Sequence, residues 1–239
     1  MRFYTVEIAG REEILVGFRE NEAVYRLNLL ARLVPELAVA DMNELICRYT
    51  PEVKAKLEHL ADNEDVLQGA AVKLPEVKLL APIVHPRQDV VCLGINYDAH
   101  AQEAGRFSSE AFGGERPYTI YFSKRVNRAT ASGESVPRYE GLVDSLDYEA
   151  ELGVILGRDA KGVSKENARD YIFGYTIIND ISARNLQTRH KQWYWETVLT
   201  ALRLWDRVLL RQMKLAMSRH LISAVRLTES CARAVIPVI

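Results

Sequence analysis

Residues 147–156 read DYEAELGVIL, and their alternation most constrains what this chain can fold into. Successive side chains of a strand point to opposite faces. Glu149 and Glu151 therefore project together, while Ala150, Leu152, Val154 and Leu156 turn the other way, onto a core. A second apolar run, Gly174–Asp180, ends in a carboxylate. Short strands outnumber helices and no repeated strand–helix rhythm appears, so the expected class is α+β with a mainly β, mixed-sheet core rather than a doubly wound sheet.

Residues 1–75 are expected to form a small α/β unit. Strands are predicted over 3–8, 14–17 and 23–27, and helices over 28–34, 42–48 and 51–60, the last with Pro51 at its start. Residues 76–88 continue a proline-bearing linker, KLPEVKLLAPIVHP. Beyond it, Asp89–Gly94 reads as a short buried strand, Asn96–Ala104 as a helix, and Gly113–Pro117 as a loop. Tyr118–Phe122 reads as a strand, Ser164–Tyr171 as a helix capped by Ser164, and Ile181–His190 as a helix or turn.

Four constellations could carry chemistry. Glu149 and Glu151 repel unless a cation sits between them, and the plain alternative is a solvated strand face. Asp180 could add a third oxygen ligand or simply cap a turn. With no His or Cys at ligand spacing, the set would select Mg²⁺ or Mn²⁺, with Ca²⁺ as a further candidate, over Zn²⁺. On a helix His100 and Glu103 share a face, making either a general base with its orienting carboxylate or a surface contact. Arg184 and Gln187 could hold a carboxylate-bearing substrate or line a solvated helix face.

Taken together, in this order and spacing, these segments are specific. LGINYDAHAQEAG, PYTIYFSK and the run from VDSLDYEAELGVILG through GYTIINDISARNLQTRHKQW resemble the fumarylacetoacetate hydrolase superfamily over about residues 90–194. The resemblance implies a catalytic core of that type spanning 89–194. It implies metal ligation by Glu149, Glu151 and Asp180, a catalytic pair of His100 and Glu103 on a lid segment, and substrate contacts from Arg184, Gln187 and Tyr97. Such a site would act on 2-oxo and diketo acids through a metal-stabilised enolate. Acylpyruvate-type C–C bond hydrolysis stands first, with decarboxylation or tautomerisation beside it. A homodimer is typical of the family, although the tail could remove the surfaces it uses.

Residues 195–239 depart from that pattern. They contain no Gly, Asn, Phe or Tyr, and carry seven Lys/Arg against three Asp/Glu, leaving 24 against 29 for the first 194 residues. The family would continue after Gln192-Trp193-Tyr194 with a glycine–lysine motif and then further core strands. Reading the permitted codons two bases later allows G-N-G-L-D-G-F-T-P-M-G, close to that continuation. The expectation is an out-of-frame tail, helical or disordered, on a core incomplete at the C-terminus, with doubtful activity. The alternative function is an inactive remnant that at most binds a divalent metal or a protein partner. Val198, Leu202, Trp205 and Leu209 suit a helix; Arg203, Arg207, Arg211 and Lys214 share one face of it, which leaves open a membrane-surface or partner helix.

The remaining composition sets bounds. A net charge of −1 argues against nucleic-acid binding, and no apolar stretch is long enough for a membrane span. Three cysteines, Cys47, Cys92 and Cys231, without metal spacing and with no secretory leader pattern, give a reduced cytoplasmic chain as the expectation.

Overall fold

A computed structural model of the chain describes residues 1–18, 23–94, 118–189, 193, 195, 199, 203–205, 208–210, 223–227 and 230–235. The N-terminal strands β1 (Arg2–Ile8) and β2 (Arg11–Gly17) form a hairpin closed by Ala9 and Gly10, at φ 50° and 74°. Positive φ at both turn positions matches the twist of the flanking strands. β3 (Val24–Arg26) adds to β2, and α1 (Leu27–Leu30) follows. α2 (Met42–Arg48) is capped by Asp41, which accepts from Glu44 N at 2.8 Å, while Glu44 reaches back to Ala40 N at 2.7 Å. α3 (Pro51–Leu60) has Thr50 as its cap and Pro51 at its first position, where a missing N–H is harmless. α4 (Glu64–Gln68) and β4 (Ala71–Val72) complete this region.

Strands from residues 1–75, from the segment expected as a linker and from the later residues pair in one sheet. The supposed linker carries β5 (Lys78–Leu79), which pairs with β1, and Thr5 Oγ1 donates to the Pro82 carbonyl at 2.6 Å. One nine-stranded sheet runs β12-β10-β13-β1-β2-β3-β4, with β5 beside β1 and β9 beside β10. Here β9 is Ala150–Leu156, β10 is Ile172–Asp180, β12 is Arg203–Trp205 and β13 is Leu209–Leu210. Phe3 of β1 stacks on Phe173 of β10 at 6.0 Å, and Tyr49 meets both rings edge-on. N-terminal and C-terminal apolar residues thus share one core.

The tail is the largest correction. Its residues 203–205 and 209–210 are strands, not helix, and Trp205 and Leu209 are buried. The physical reason is the sheet edge. β10 and β1 present unpaired backbone groups, and β13 satisfies both, Leu210 lying opposite Arg2 and Tyr175. A further hairpin pairs β14 (Ser223–Leu227) with β15 (Ser230–Val235).

Three smaller expectations also change. Ser164–Tyr171 is a turn followed by a short 3-10 helix over Ala168–Tyr171, because nearly all of its residues are exposed and it has no apolar face to bury. β6 (Val90–Gly94) is not a buried strand; among the described residues it pairs only with β7 (Ile120–Lys124), and Val91 is 72% exposed. The predicted apolar face of β9 is half outward, with Val154 and Leu156 exposed. The inner face carries Glu151, Gly153 and Ile155; Ile155 packs against the main core, and Ile178 and Thr176 crowd over Gly153. Among the described residues no helix is long and apolar enough to cross a membrane. The helix expected over 96–104 and the loop at 113–117 lie outside the described residues.

Candidate active site

Residues 146–156 are divided between two pairings. β8 (Leu146–Asp147) pairs with β11 (Ser182–Ala183), while β9 pairs with β10. Between them, Glu149 N donates to the Asn179 side chain at 3.2 Å, and Asp180 N donates to the Glu149 carbonyl at 2.7 Å. Asn179 thus replaces a backbone partner where the ladder changes strands. The register sets Ala150 opposite Asn179 and Glu151 opposite Ile178. Glu149 therefore faces Asp180, and Glu149, Glu151 and Asp180 rise from one face of the sheet.

Each of two carboxylates is held by a cation. Lys124, at the end of β7, is 1% exposed, and its Nζ donates to Asp180 Oδ1 at 2.5 Å. Arg184 opens α5 (Arg184–Arg189). Its Nη2 donates to Asp147 Oδ2 and Glu149 Oε1, both at 2.7 Å, and its Nε to Asp147 Oδ2 at 3.0 Å. Nη1 donates to Gln187 Oε1 at 2.9 Å, one helical turn on. Ser182 Oγ donates to Glu149 Oε2 at 3.0 Å. Burial alone would lower the Arg184 pKa, but the charge of Glu149 and hydrogen bonds to Glu149 and Asp147 outweigh it and raise it. Next to Lys124, Phe122 meets Trp193 edge-on at 5.0 Å, and Gly94 leaves room for the indole: a Cβ there would lie 2.7 Å from it.

The site residues expected from sequence thus fall into two groups. Glu149, Asp180, Arg184 and Gln187 are joined in these networks, and Glu151 stands beside them on the inner face. Tyr97, His100 and Glu103 lie outside the described residues. Three participants were missed: Lys124, Asp147 and Ser182. For Lys124 the signal was in the sequence. It shares a strand face with Ile120 and Phe122, so a lysine there is carried inward with apolar neighbours and must find a carboxylate. Asp147 and Ser182 gave no such sign, because their roles depend on the β8–β11 pairing.

The donor set Glu149, Glu151 and Asp180 is all oxygen, which suits a hard divalent ion in kind, and the strand register groups it on one face. Among the described residues, however, no three His, Cys, Asp or Glu side chains converge on a common centre. Glu149 and Asp180 are turned onto Arg184 and Lys124 instead.

Comparison with known proteins agrees with this architecture. Residues 89–199 match the family described as fumarylacetoacetate (FAA) hydrolase C-terminal. The chain is 36% identical over 200 residues to an oxaloacetate tautomerase, YisK, of Bacillus subtilis, covering 81% of this chain and 64% of that protein. Among solved structures, a fumarylacetoacetate hydrolase from Exiguobacterium antarcticum superposes with a TM-score of 0.66 at 28% identity, over 88% of this chain and 66% of the other. A 2-hydroxyhepta-2,4-diene-1,7-dioate isomerase from Mycobacterium marinum has a TM-score of 0.66 at 19% identity, over 99% of this chain and 75% of the other, and shares the fold. The chain spans less than two thirds of the length of the tautomerase.

Proposed function

The chain belongs to the fumarylacetoacetate hydrolase superfamily, and from that premise we propose that it is a divalent-metal-dependent enzyme acting on small 2-oxo acids through an enolate. Keto–enol tautomerisation of a 2-oxo dicarboxylic acid is the first reaction to test, because the 36%-identical relative is named for it. C–C bond hydrolysis of an acylpyruvate is the second, on the likeness to the Exiguobacterium hydrolase.

The observation that carries the reading is the grouping of Glu149, Glu151 and Asp180 on one sheet face, with Arg184 and Gln187 directly beside them. When bound, Mg²⁺ or Mn²⁺ would supply a positive centre that lowers the cost of enolate charge. Arg184, whose fork donates to Asp147, Glu149 and Gln187, would hold a substrate carboxylate by exchanging one of these partners for it. Tyr97 would add a contact to the substrate. His100, oriented by Glu103, would move the proton on the substrate's α-carbon in tautomerisation, or take one from water in hydrolysis.

The test uses the 239-residue chain with Mg²⁺ or Mn²⁺. Enol–keto interconversion of oxaloacetate is followed by the loss of enol absorbance, and acylpyruvate cleavage by product formation. Metal-dependent acceleration of either supports the reading, and the faster one ranks the reactions. Acceleration that survives chelation, or none with either substrate, would refute it. One observation favours a second reading. Glu149 and Asp180 are already neutralised by the chain's own cations. A structural ion-pair cluster that binds an ion or a partner without turnover would look the same. Metal binding without acceleration identifies it.

A further inference from the structure

Arg184 already spends its fork on its own chain. Nη1 donates to Gln187, Nη2 to Asp147 and Glu149, and Nε to Asp147. A ligand carboxylate binds a guanidinium along one edge, through two parallel N–H···O bonds. Asp147 covers the Nε–Nη2 edge, with Oδ2 at 3.0 and 2.7 Å. A carboxylate that binds Arg184 must therefore displace a partner.

The partners differ in what it costs them to leave. Gln187 is 6% exposed. The Glu149 side chain is 14% exposed, and Ser182 Oγ donates to its other oxygen. Asp147 has 36% of its side chain in solvent and bonds Arg184 through one oxygen. Its backbone is fixed opposite Ser182 in the β8–β11 ladder, so only the carboxylate has to turn. A partly exposed carboxylate regains water as it leaves, whereas a buried amide or carboxylate does not.

We infer that Asp147 stands in for the substrate carboxylate: it covers the Nε–Nη2 edge of Arg184 and gives way when a carboxylate ligand binds, so that it sets the site's affinity for 2-oxo acids. The inference rests on the proposed function, in which Arg184 receives that carboxylate, and names the residue the ligand displaces. Asp147 is thus a positioning residue, acting through Arg184. The apparent affinity is reduced by the fraction of chains in which Asp147 is turned aside. The same contact gives selectivity. An uncharged amide or ester oxygen offers the guanidinium a weaker bond than Asp147 does, and so does not displace it.

The arrangement fixes the sign of each substitution. Asp147→Asn keeps the shape and removes the charge, so affinity for a carboxylate should rise by about three- to fivefold, the scale of a partly exposed ion pair. Asp147→Glu retains a competing carboxylate and should stay within about twofold of the wild type. Arg184→Lys removes the fork and weakens binding. In that background Asp147→Asn should change affinity by less than about twofold, because its effect passes through the fork.

The experiment titrates oxamate, an unreactive analogue of a 2-oxo acid, into the full chain and its variants by calorimetry with Mg²⁺ present, each fold checked by circular dichroism. Tighter binding in Asp147→Asn, near wild-type binding in Asp147→Glu and loss of the effect beside Arg184→Lys support the inference. For oxaloacetate, KM should fall with the oxamate Kd, by a larger factor than any change in kcat. Unchanged or weaker oxamate binding in Asp147→Asn overturns the inference, since Asp147 would then hold the fork in place for the ligand. Equal tightening beside Arg184→Lys also overturns it, since Asp147 would then act by general repulsion. Should Arg184→Lys bind no oxamate, the Asp147→Asn result decides alone. Should Asp147→Asn not fold, Asp147→Ser carries the same predictions. Oxamate binding by neither the wild type nor the variants overturns both this inference and the proposed function. Binding in the expected order without turnover overturns only the latter.

Discussion

Gly174→Ala tests whether the tail strand is part of the fold. A Cβ at position 174 would lie 2.6 Å from the Leu210 carbonyl oxygen and 2.7 Å from Leu209 Cδ2. The leucine methyl could rotate away, but the carbonyl belongs to a backbone paired with Tyr175 on one side and Arg2 on the other. The methyl group therefore fits only if β13 withdraws from β10. Withdrawal exposes Leu209, now fully buried, at a cost of about 1.5–3 kcal/mol for that side chain. Lost ladder hydrogen bonds add about 1 kcal/mol each. A net loss of roughly 2–4 kcal/mol follows, and each kcal/mol lowers Tm by about 2–4 °C in a domain of this size. Gly69→Ala is the control, because nothing lies within 4 Å of its Cβ position and its φ of −71° suits alanine. Urea and thermal unfolding of both variants give the measurement. If Gly174→Ala unfolds within about 0.5 kcal/mol of the wild type, as an uncrowded surface substitution would, β13 is not docked as described.

Other outcomes follow from the same structure. Trp205 is buried and its Nε1 has no hydrogen-bond partner among the described residues, so Trp205→Phe should lose only the packing of the smaller ring and cost less than Trp205→Ala, which costs about 3–5 kcal/mol by chemical denaturation. Glu134, held by both Arg128 nitrogens and by Ala131 N, has its pKa lowered to about 2. Its folded pKa lies below the unfolded one, so its stabilisation is present above the ordinary carboxylate range and is lost as pH falls towards 2; Glu134→Gln should flatten that acid limb in a pH series of unfolding curves. The frameshift reading of the tail predicts that restoring one base near codon 194 opens a long frame with the family's continuation, which the genomic sequence decides.

Much of the fold was legible because it is local. The strand expected over 3–8 and the Pro51 start of α3 need only near neighbours in sequence to form. That Glu149 and Glu151 share a strand face was legible for the same reason, since period two fixes it before any packing is known, whereas Asp180 was read only as the end of an apolar run. The β12 and β13 strands were not legible. Val198, Leu202, Trp205 and Leu209 fit a helix well, and what overrides that preference is a distant edge formed by β1 and β10. The inward face of β9 was misjudged because Gly153 looks neutral in a pattern; it is small so that Ile178 and Thr176 can lie against it. Lys124 was passed over because a lysine is ordinarily a surface residue, whereas here the carboxylate of Asp180 and the face of the Phe122 ring receive its ammonium inside the fold.

In the proposed function Glu149, Glu151 and Asp180 act together as the metal-binding part of an enzyme site. The most direct test pairs two readings on one variant, Glu149→Ala/Glu151→Ala: Mn²⁺ affinity and oxaloacetate enol–keto turnover. Both should collapse together, by at least about a hundredfold, while the unfolding transition stays cooperative. Turnover that persists when Mn²⁺ binding is lost, or Mn²⁺ binding that persists without these carboxylates, would contradict it.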